Sequence, residues 1–412
     1  MNVWIINPYG SLPDESWRTY RSTMIANCLQ KKGHSVVQYI SNFEHRSKTY
    51  RSDGYSLKSY GDLYSIHIIP SKSYKAHISF GRIKYERSFG KNIIKRANGL
   101  EKPDIVILAE PAIFYYDILL SWLKNDLRTK VVIDLIDIWP ELFHLIVPKR
   151  IDVLARIVLS PLYYWRKRLY KRADGIVAVS KNYLNIAKNI ASFKDGTSDV
   201  VYWSIPSSEL NRNDKLQHHA ISGFIAKKNE EEIWGIYAGT LGENYDIKSI
   251  VEATNLVKIK YNCSKFKLFI AGDGPLSSFC SENCDNSSLI FLGRLSSVEL
   301  AGLFKYCDFA LSTYKGRSTV SMPIKAFDYF AFGLPIINSL GRDLGEFVTS
   351  HRVGINYKAE NIDELFKAML TLIENNDKRL RMKDNALKLS LDFSEEKQYS
   401  KFIKVLENVM NG

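Results

Sequence analysis

The sequence predicts an α/β protein made of two doubly wound parallel sheets. Three observations lead there. Short apolar runs alternate with longer stretches of helical period along most of the chain. A polar, turn-prone stretch at 204–231 interrupts that alternation, which restarts at Ile233. The length of 412 residues, 45% of them hydrophobic, is enough for two separate cores.

Val3–Asn7 reads as a buried strand that opens into the turn-rich Pro8-Tyr9-Gly10-Ser11-Leu12-Pro13. Trp17, Tyr20, Met24, Cys28 and Leu29 share one helical stripe. Gly33 closes that helix, and Ser35–Ile40 returns as a strand. Residues 44–100 are polar, aromatic and basic, and are expected to hold a loop insertion and one helix at 80–97. Ile105–Leu108 reads as a strand, Ile113–Leu123 as a helix and Lys130–Ile136 as a strand. Ser160-Pro161 has the form of a helix cap followed by proline, starting a helix that runs to Ala173. Gly175–Val179 is the next strand.

After the break come strands at Ile233–Gly239, Phe266–Gly272, Leu289–Gly293, Phe309–Tyr314 and Leu334–Ser339. Helices at Ile247–Lys260, Ser297–Lys305 and Met322–Phe332 separate them, and the last fifty residues are mostly helical. The expected division is 1–203, a linker at 204–231, 232–390, and a final helix at 391–412 that can cross back to the first domain. Ligands of such sheets sit outside the carboxyl ends of the strands, so the crevice facing both sheets is the expected site.

Composition narrows the class. The net charge is +13, and all of it lies in the first half. Residues 1–200 hold 31 Lys and Arg against 18 Asp and Glu, and the remainder holds 26 of each. A one-sided field suits a polyanionic partner, although a basic background gives the same count. No nucleic-acid recognition motif accompanies the charge. Five cysteines without zinc spacing suit a reducing compartment. No apolar run approaches the roughly 20 residues needed to span a bilayer. The opening Met-Asn-Val-Trp-Ile-Ile reads as a strand and not as a secretion signal.

Several motifs could carry chemistry. Gly239-Thr240-Leu241-Gly242 and Ala271-Gly272-Asp273-Gly274-Pro275 are tight turns at the same sheet edge. Their glycines either let amides approach a phosphate or serve packing. Ser318-Thr319-Val320-Ser321 leads into a helix carrying Lys325 and Asp328, with Ser321 as the expected cap. A cation in a first helical turn opposes the helix dipole, which makes sense beside a bound anion; the alternative is a surface Lys–Asp pair. Asp134 and Asp137 end a strand before Trp139-Pro140-Glu141 and are expected to face a crevice or to cap a turn. Trp165, Arg166, Lys167 and Arg168, among further tyrosines and cations, suit either a membrane surface or a packed helix with a solvated face. There is no Asp-x-Asp pair, no phosphate-binding Gly-Lys-Ser/Thr loop and no clustered histidine set for a metal.

Together, Gly239-Thr240-Leu241, Ala271-Gly272-Asp273-Gly274-Pro275, Phe291-Leu292-Gly293-Arg294-Leu295 and Met322-Pro323-Ile324-Lys325 through Gly333-Leu334-Pro335 resemble the family 4 retaining glycosyltransferases, of GT-B fold. Asn7-Pro8-Tyr9-Gly10, Trp17-Arg18, Gly33-His34, Asp137 through Glu141 and Tyr170 through Ser180 resemble a bacterial surface-polysaccharide branch of it. The resemblance implies a nucleotide-diphosphate sugar held by the C-terminal domain and a glycan or polyprenyl-diphosphate-linked acceptor held by the N-terminal domain. It implies no cofactor and no metal. The family's two glutamates would fall at Val320 and Asp328, and its basic pair near Thr240 and Tyr245.

The cationic role then passes to Lys325, Arg294 and the helix start at Ser318–Ser321, with Asp328 on ribose hydroxyls. Leu295, Gly272, Asp273 and Gly274 complete the donor set. Gly10 lets the first loop approach the donor, Asp137 steers or deprotonates the acceptor, and Trp17, Arg18, Trp139 and Glu141 face acceptor or membrane. Such an enzyme would be cytoplasmic and peripheral on the inner face of the cytoplasmic membrane. A nucleotide-sugar epimerase and a non-catalytic nucleotide-sugar binder are the rival readings.

Overall fold

The computed structural model describes the chain except residues 16–18, 77–78, 98, 111–112, 142, 144–151, 205–218 and 261–264. The chain forms two compact units, Met1–Tyr202 with Glu395–Gly412, and Trp203–Ser394.

In the first unit the apolar run after Asn2 becomes β1 (Asn2–Ile6), buried on both faces as a central parallel strand requires. α1 (Arg21–Lys31) and β2 (Ser35–Ser41) complete the first βαβ step. A small hairpin, β3 (Phe43–Glu44) with β4 (Thr49–Tyr50), precedes β5 (Ser56–Ser59) and β6 (Tyr64–Ile69). Then come α2 (Phe80–Ala97), β7 (Ile105–Glu110), and α3 (Tyr116–Ser121), which a π turn extends to Asp126. β8 (Lys130–Leu135), α4 (Asp152–Arg172), β9 (Gly175–Ala178), α5 (Lys181–Ile190) and β10 (Ser198–Val200) follow. The eight-stranded sheet runs β10-β9-β8-β7-β1-β2-β6-β5, and only β5 is antiparallel. The winding reverses between β1 and β7, which opens a crevice at their carboxyl ends.

The second unit holds α6 (His219–Lys227), β11 (Ile233–Ala238), α7 (Ile247–Lys260), β12 (Phe266–Ala271), α8 (Ser277–Asn283) and β13 (Leu289–Gly293). α9 (Ser297–Phe304), β14 (Phe309–Ser312), α10 (Ile324–Ala331), β15 (Ile336–Asn338), α11 (Arg342–Ser350) and β16 (Gly354–Asn356) follow. α12 (Ile362–Glu374) and α13 (Asn376–Ser390) finish it. Its six strands run β13-β12-β11-β14-β15-β16, so the reversal lies between β11 and β14. The last helix, α14 (Glu395–Asn411), belongs to the first unit and packs on α1.

Arg21 shows how that helix is held. Its guanidinium donates to both Asp134 oxygens at 3.0–3.1 Å and to the Tyr202 carbonyl at 3.2 Å. The rings of Tyr399 and Phe402, on α14, lie 5.6 and 5.8 Å from it. Arg21 is wholly buried, so losing either charge of the pair would strand the other in the core.

Several expectations need correction. Ser160-Pro161 does not start a helix: α4 runs through it from Asp152, with Pro161 on the exposed side. Proline costs one hydrogen bond to the carbonyl four residues back, and that residue, Ile157, is exposed. Ser321 is not a cap, because Pro323 holds the N-cap position and keeps the preceding backbone extended. Ser321 instead accepts from the Asp343 amide through Oγ, at 3.4 Å, and from the Leu344 amide through its carbonyl, at 3.1 Å. α1 begins at Arg21, after an extended Tyr20, and Trp17 and Arg18 lie outside the described residues. The 44–100 segment adds sheet as well as a helix, for β6 lies inside the sheet between β2 and β5. The stretch expected as linker carries α6, and its residues 205–218 lie outside the described ones. Cys28, Cys280, Cys284 and Cys307 are free thiols.

Candidate functional site

The second unit's reversal point gathers three tyrosines around one ammonium. Tyr237 is the next-to-last residue of β11, Tyr314 follows β14, and Tyr245 bridges to Tyr314 by an isolated β-bridge. Lys325 Nζ lies 4.2, 5.0 and 4.9 Å from the ring centroids of Tyr237, Tyr245 and Tyr314. It is buried and has no hydrogen-bond partner. Burial alone brings its pKa down to about 7. A Lys325–Asp328 surface pair is therefore not what forms. Three aromatic faces stabilise the cation but leave three N–H donors unsatisfied, which an incoming anion would satisfy. The positive end of the α10 dipole lies beside this residue, although the Ala326 amide of that first turn already donates to the Pro323 carbonyl at 3.0 Å. Thr319 Oγ1, in the loop before it, is likewise buried without a partner.

The two glycine turns have a packing cause. A Cβ on Gly272 would lie 1.8 Å from the Gly239 carbonyl oxygen, and one on Gly274 would lie 2.6 Å from that of Leu241. Their amides are already engaged. Gly239 donates to Ala271 at 3.0 Å, Leu241 to Asp273 at 3.0 Å and Gly272 to Gly293 at 2.7 Å. Gly274 donates to Asp273 Oδ1, which also accepts from Ser277. Of the two readings left open, the steric one accounts for Gly272 and Gly274; a Cβ on Gly239 would lie 3.5 Å from Lys325 Nζ and one on Gly242 3.6 Å from Thr240, so packing does not demand a glycine at either. Thr240 is exposed and its carbonyl accepts from the Tyr237 hydroxyl at 2.8 Å.

Arg294 is exposed just beyond the edge strand β13, and Leu295 is buried. Two strand spacings, roughly 10 Å, separate β13 from β11. Among the described residues no hydrogen bond or ring contact joins Arg294 to Lys325. Val320 donates its amide to Ser318 Oγ at 3.3 Å, and the Ser318 carbonyl accepts from Arg342 at 3.3 Å. Asp328 is half-buried one turn along α10. Sequence reasoning missed Tyr237, Tyr314 and Arg342. Tyr237 was legible as the last large residue before a glycine turn; the convergence of the tyrosines depends on β11 and β14 being neighbours.

The first unit's reversal point is built from carboxyls. Asp137 follows β8, and burial pushes it up to about 7, although the Ile138 amide donates to it at 2.9 Å and Arg82 opposes the shift. Glu110 ends β7, is fully buried, and is pushed up to about 8. The Tyr170 hydroxyl donates to its Oε2 at 2.6 Å, and its Oε1 has no partner. Glu86 on α2 is raised by burial too; it accepts from Tyr9 at 2.5 Å and from Arg82 at 3.2 Å. The Arg82 guanidinium also lies 4.2 Å over the Trp139 ring, which precedes a cis Pro140.

Here the placements depart from expectation. Glu141 is bound two-pronged by Arg166 at 2.6 and 2.8 Å, and Arg166 also donates to the Trp139 carbonyl. Arg166 therefore turns inward, away from any membrane, while Trp165, Lys167 and Arg168 are exposed. Asp134 faces the core against Arg21 and not a crevice. Gly10 is packed so that a Cβ would lie 2.8 Å from Ile40. Glu110 was missed because a lone glutamate at the end of an apolar run reads as the start of a turn. Among the described residues no group of three or more His, Cys, Asp or Glu is placed to hold a metal ion.

Comparison with known proteins fits this layout. Residues 221–389 match the family model described as "Glycosyl transferases group 1". A chitobiosyldiphosphodolichol beta-mannosyltransferase of Debaryomyces hansenii is 22% identical over 353 residues, covering 80% of this chain and 73% of that one. An uncharacterized glycosyltransferase of Methanocaldococcus jannaschii is 26% identical over 254 residues, covering 60% and 61%. Among solved structures, Anabaena HepE in complex with UDP superposes with a TM-score of 0.67 at 12% identity, over 99% of this chain and 100% of that one. WaaG, described as a glycosyltransferase involved in lipopolysaccharide biosynthesis, does so with 0.63 at 11%, over 98% and 99%. The chain has the GT-B fold, and the match over residues 221–389 supports a group 1 glycosyltransferase.

Proposed function

We propose that the protein moves a sugar from a nucleotide-diphosphate sugar to a hydroxyl of a lipid-linked glycan, in the synthesis of a bacterial surface polysaccharide such as capsule, O-antigen or exopolysaccharide. One observation carries the donor half: the buried, unpartnered Lys325 ammonium at the sheet reversal of the second unit. The leaving nucleoside diphosphate gains negative charge as the sugar–phosphate bond breaks. An ammonium and a helix N-terminus already fixed in a dry site stabilise that charge without reorganising. The protein itself supplies this field, so the reaction is proposed to run without a metal and to survive chelator. Asp328 and the loop 318–321 are proposed to meet the ribose and sugar. Two likenesses support the acceptor class: relatives described as acting on a dolichol-linked disaccharide and a structure described as serving lipopolysaccharide biosynthesis.

The chemistry is written with retention of configuration, the departing phosphate taking the acceptor proton on the same face. A second reading has an observation in its favour. Asp137, raised to about 7, is matched to general-base work near neutral pH. A base on the opposite face gives inversion. The anomeric configuration of the product, read by NMR, separates the two. The direct test of the function is Lys325→Ala with a panel of nucleotide sugars and lipid-linked acceptors. A loss of turnover of about 10²-fold or more is expected for one electrostatic group. Unchanged turnover in that variant would sink the assignment. Wild-type protein that binds a donor but consumes none over long incubation would favour the non-catalytic binder, and a changed donor without acceptor would favour an epimerase.

A further inference from the structure

Two cations stand on the β2 side of the first unit's reversal point, and the donor reading uses neither. The first is Lys48, on the hairpin that pairs Phe43 with Tyr50 and Glu44 with Thr49. Lys48 closes this hairpin at φ 60°, its amide donating to the Glu44 carbonyl at 3.0 Å. Its side chain lies across Tyr74, with Nζ 4.1 Å from the ring centroid. Tyr74 is fixed in turn, 5.5 Å from Phe43 and 5.0 Å from Tyr85 between centroids. Tyr85 donates to the Pro8 carbonyl at 2.7 Å. The ammonium is shielded there and finds no hydrogen-bond acceptor. A single aromatic face attracts the charge but satisfies none of its N–H groups.

The second cation is Arg82, buried in the first turn of α2. Its Nε donates to the Tyr9 hydroxyl at 2.8 Å and to Glu86 at 3.2 Å. Its guanidinium lies 4.9 Å from the Tyr9 ring and 4.2 Å from the Trp139 ring. The two cations are near enough to act on each other. Burial lowers the Lys48 pKa, the Arg82 charge lowers it further, and Glu44 opposes both. The acids around them are engaged elsewhere. Glu44 Oε2 accepts from the Arg46 and Ser47 amides at 2.9 and 2.6 Å. Glu86 accepts from the Tyr9 hydroxyl at 2.5 Å and from the Phe114 amide at 2.9 Å. Like charges held together away from water raise each other's energy, and an anion placed between them relieves it.

We propose that Lys48 and Arg82 hold a phosphate group of the acceptor, and that the attacked hydroxyl belongs to the sugar bearing that phosphate. The proposal deepens the transferase reading and rests on it for naming the ligand an acceptor. Arg82 links the two halves of the claim. Its guanidinium lies over Trp139 and its charge acts on Asp137, so a sugar attached to a phosphate on Arg82 meets that ring and that carboxyl. An acceptor with several sugars between its phosphate and the reacting hydroxyl would not fit. The Lys48 side chain is half-buried, so rotation about its own bonds turns the ammonium from Tyr74 to the phosphate without a backbone shift.

The test is calorimetry of the full chain with three kinds of probe. Glucose, galactose and N-acetylglucosamine are joined to farnesyl diphosphate; the same sugars are offered as farnesyl glycosides without phosphate; inorganic pyrophosphate is the third. At least one sugar-linked diphosphate should bind about tenfold or more tighter than its glycoside, and tighter than pyrophosphate. Lys48→Met should close that gap and Lys48→Arg should keep most of it. Both variants should melt at the wild-type temperature, so that lost binding is not lost fold. Lys325→Met should bind the sugar-linked diphosphate as the wild type does and lose UDP, which keeps the two readings apart: unchanged UDP binding there would sink the donor reading alone. Equal affinity for diphosphate and glycoside, or no binding of either, would overturn the inference. So would a gap that survives in Lys48→Met, a gap that closes in Lys325→Met, or pyrophosphate binding as tightly as the sugar-linked forms.

Discussion

The two units share a doubly wound parallel sheet and a reversal of winding, yet their reversal points have opposite chemistry. In the second unit the point holds one ammonium among three phenol rings. In the first it holds Glu110 and Asp137, each raised by burial, with Glu86 close to Arg82. The overall charge runs the other way, since the excess of +13 lies in residues 1–200 and the remainder is neutral. Net charge is set mostly at the surface and governs encounter with large partners. Site chemistry is set by the few groups that burial deprives of water. Counting charges along a chain therefore says little about which unit buries an ammonium and which buries carboxyls.

The strongest way to break this comparison is to disturb the paired turns that frame the second site. Gly272→Ala puts a methyl 1.8 Å from the Gly239 oxygen, so backbone must move. Unfolding by denaturant should show a loss on the order of 4 kcal/mol or no folded second unit. Gly242→Ala is the control: its nearest neighbour would lie 3.6 Å away, and the change should stay within about 0.5 kcal/mol.

Next in size is the proton balance of nucleotide binding. Lys325 titrates at about 7 when the site is empty, and a bound diphosphate must raise that value. Binding above pH 7 should then take up a proton, and affinity should fall as pH rises. Calorimetry in two buffers of different ionisation heat reads that uptake directly. Lys325→Met should bind more weakly and take up none. Proton uptake that persists in Lys325→Met would move the assignment to another group.

Asp137 sharpens the other side of the comparison. On the inverting reading Asp137 is the base and must lose its proton, so turnover should then climb as pH rises through about 7. Asp137→Asn should abolish that rising limb and reduce turnover by about 10²-fold or more. A pH profile unchanged in Asp137→Asn would assign the limb elsewhere.

The smallest effect is on how stability varies with pH. Burial raises Glu110 to about 8 in the folded chain, from an ordinary glutamate value of 4.5. The folded state thus holds more protons than the unfolded one between those values, and stability falls as pH rises through that window. Glu110→Gln should flatten the fall by about 1 kcal/mol or more over pH 5 to 8, read from denaturation midpoints. A slope equal to the wild type's would mean that Glu110 is already ionised.

Much of this fold was legible in the sequence. Alternation gave two sheets, and the helices at 80–97 and Ile247–Lys260 have the expected bounds because each carries its periodicity to its ends. Legibility failed where a local signal was overruled by packing. Ser160-Pro161 has the form of a helix start, but the helix beneath is held by Leu159, Leu162 and Leu169 on its inner face, and proline on the outer face does not end it. β4 and β5, in the 44–100 segment, are too short to show a period. The site was legible at Lys325, whose position one turn into a helix is unfavourable without an anion. Its tyrosine enclosure was not, because Tyr237, Tyr245 and Tyr314 meet only once strand order is known. Glu110 and Asp137 likewise become partners only because β7 and β8 are adjacent.

α14 finishes a body whose other residues were made long before it. Ribosomes add about 5–20 residues per second, so some 10–40 s separate the emergence of Tyr202 from that of Glu395. Through that interval Arg21 and Asp134 lack the aromatic lid of Tyr399 and Phe402. The later-made unit can close its own core first, and the earlier-made one waits, with an apolar flank open to chaperones.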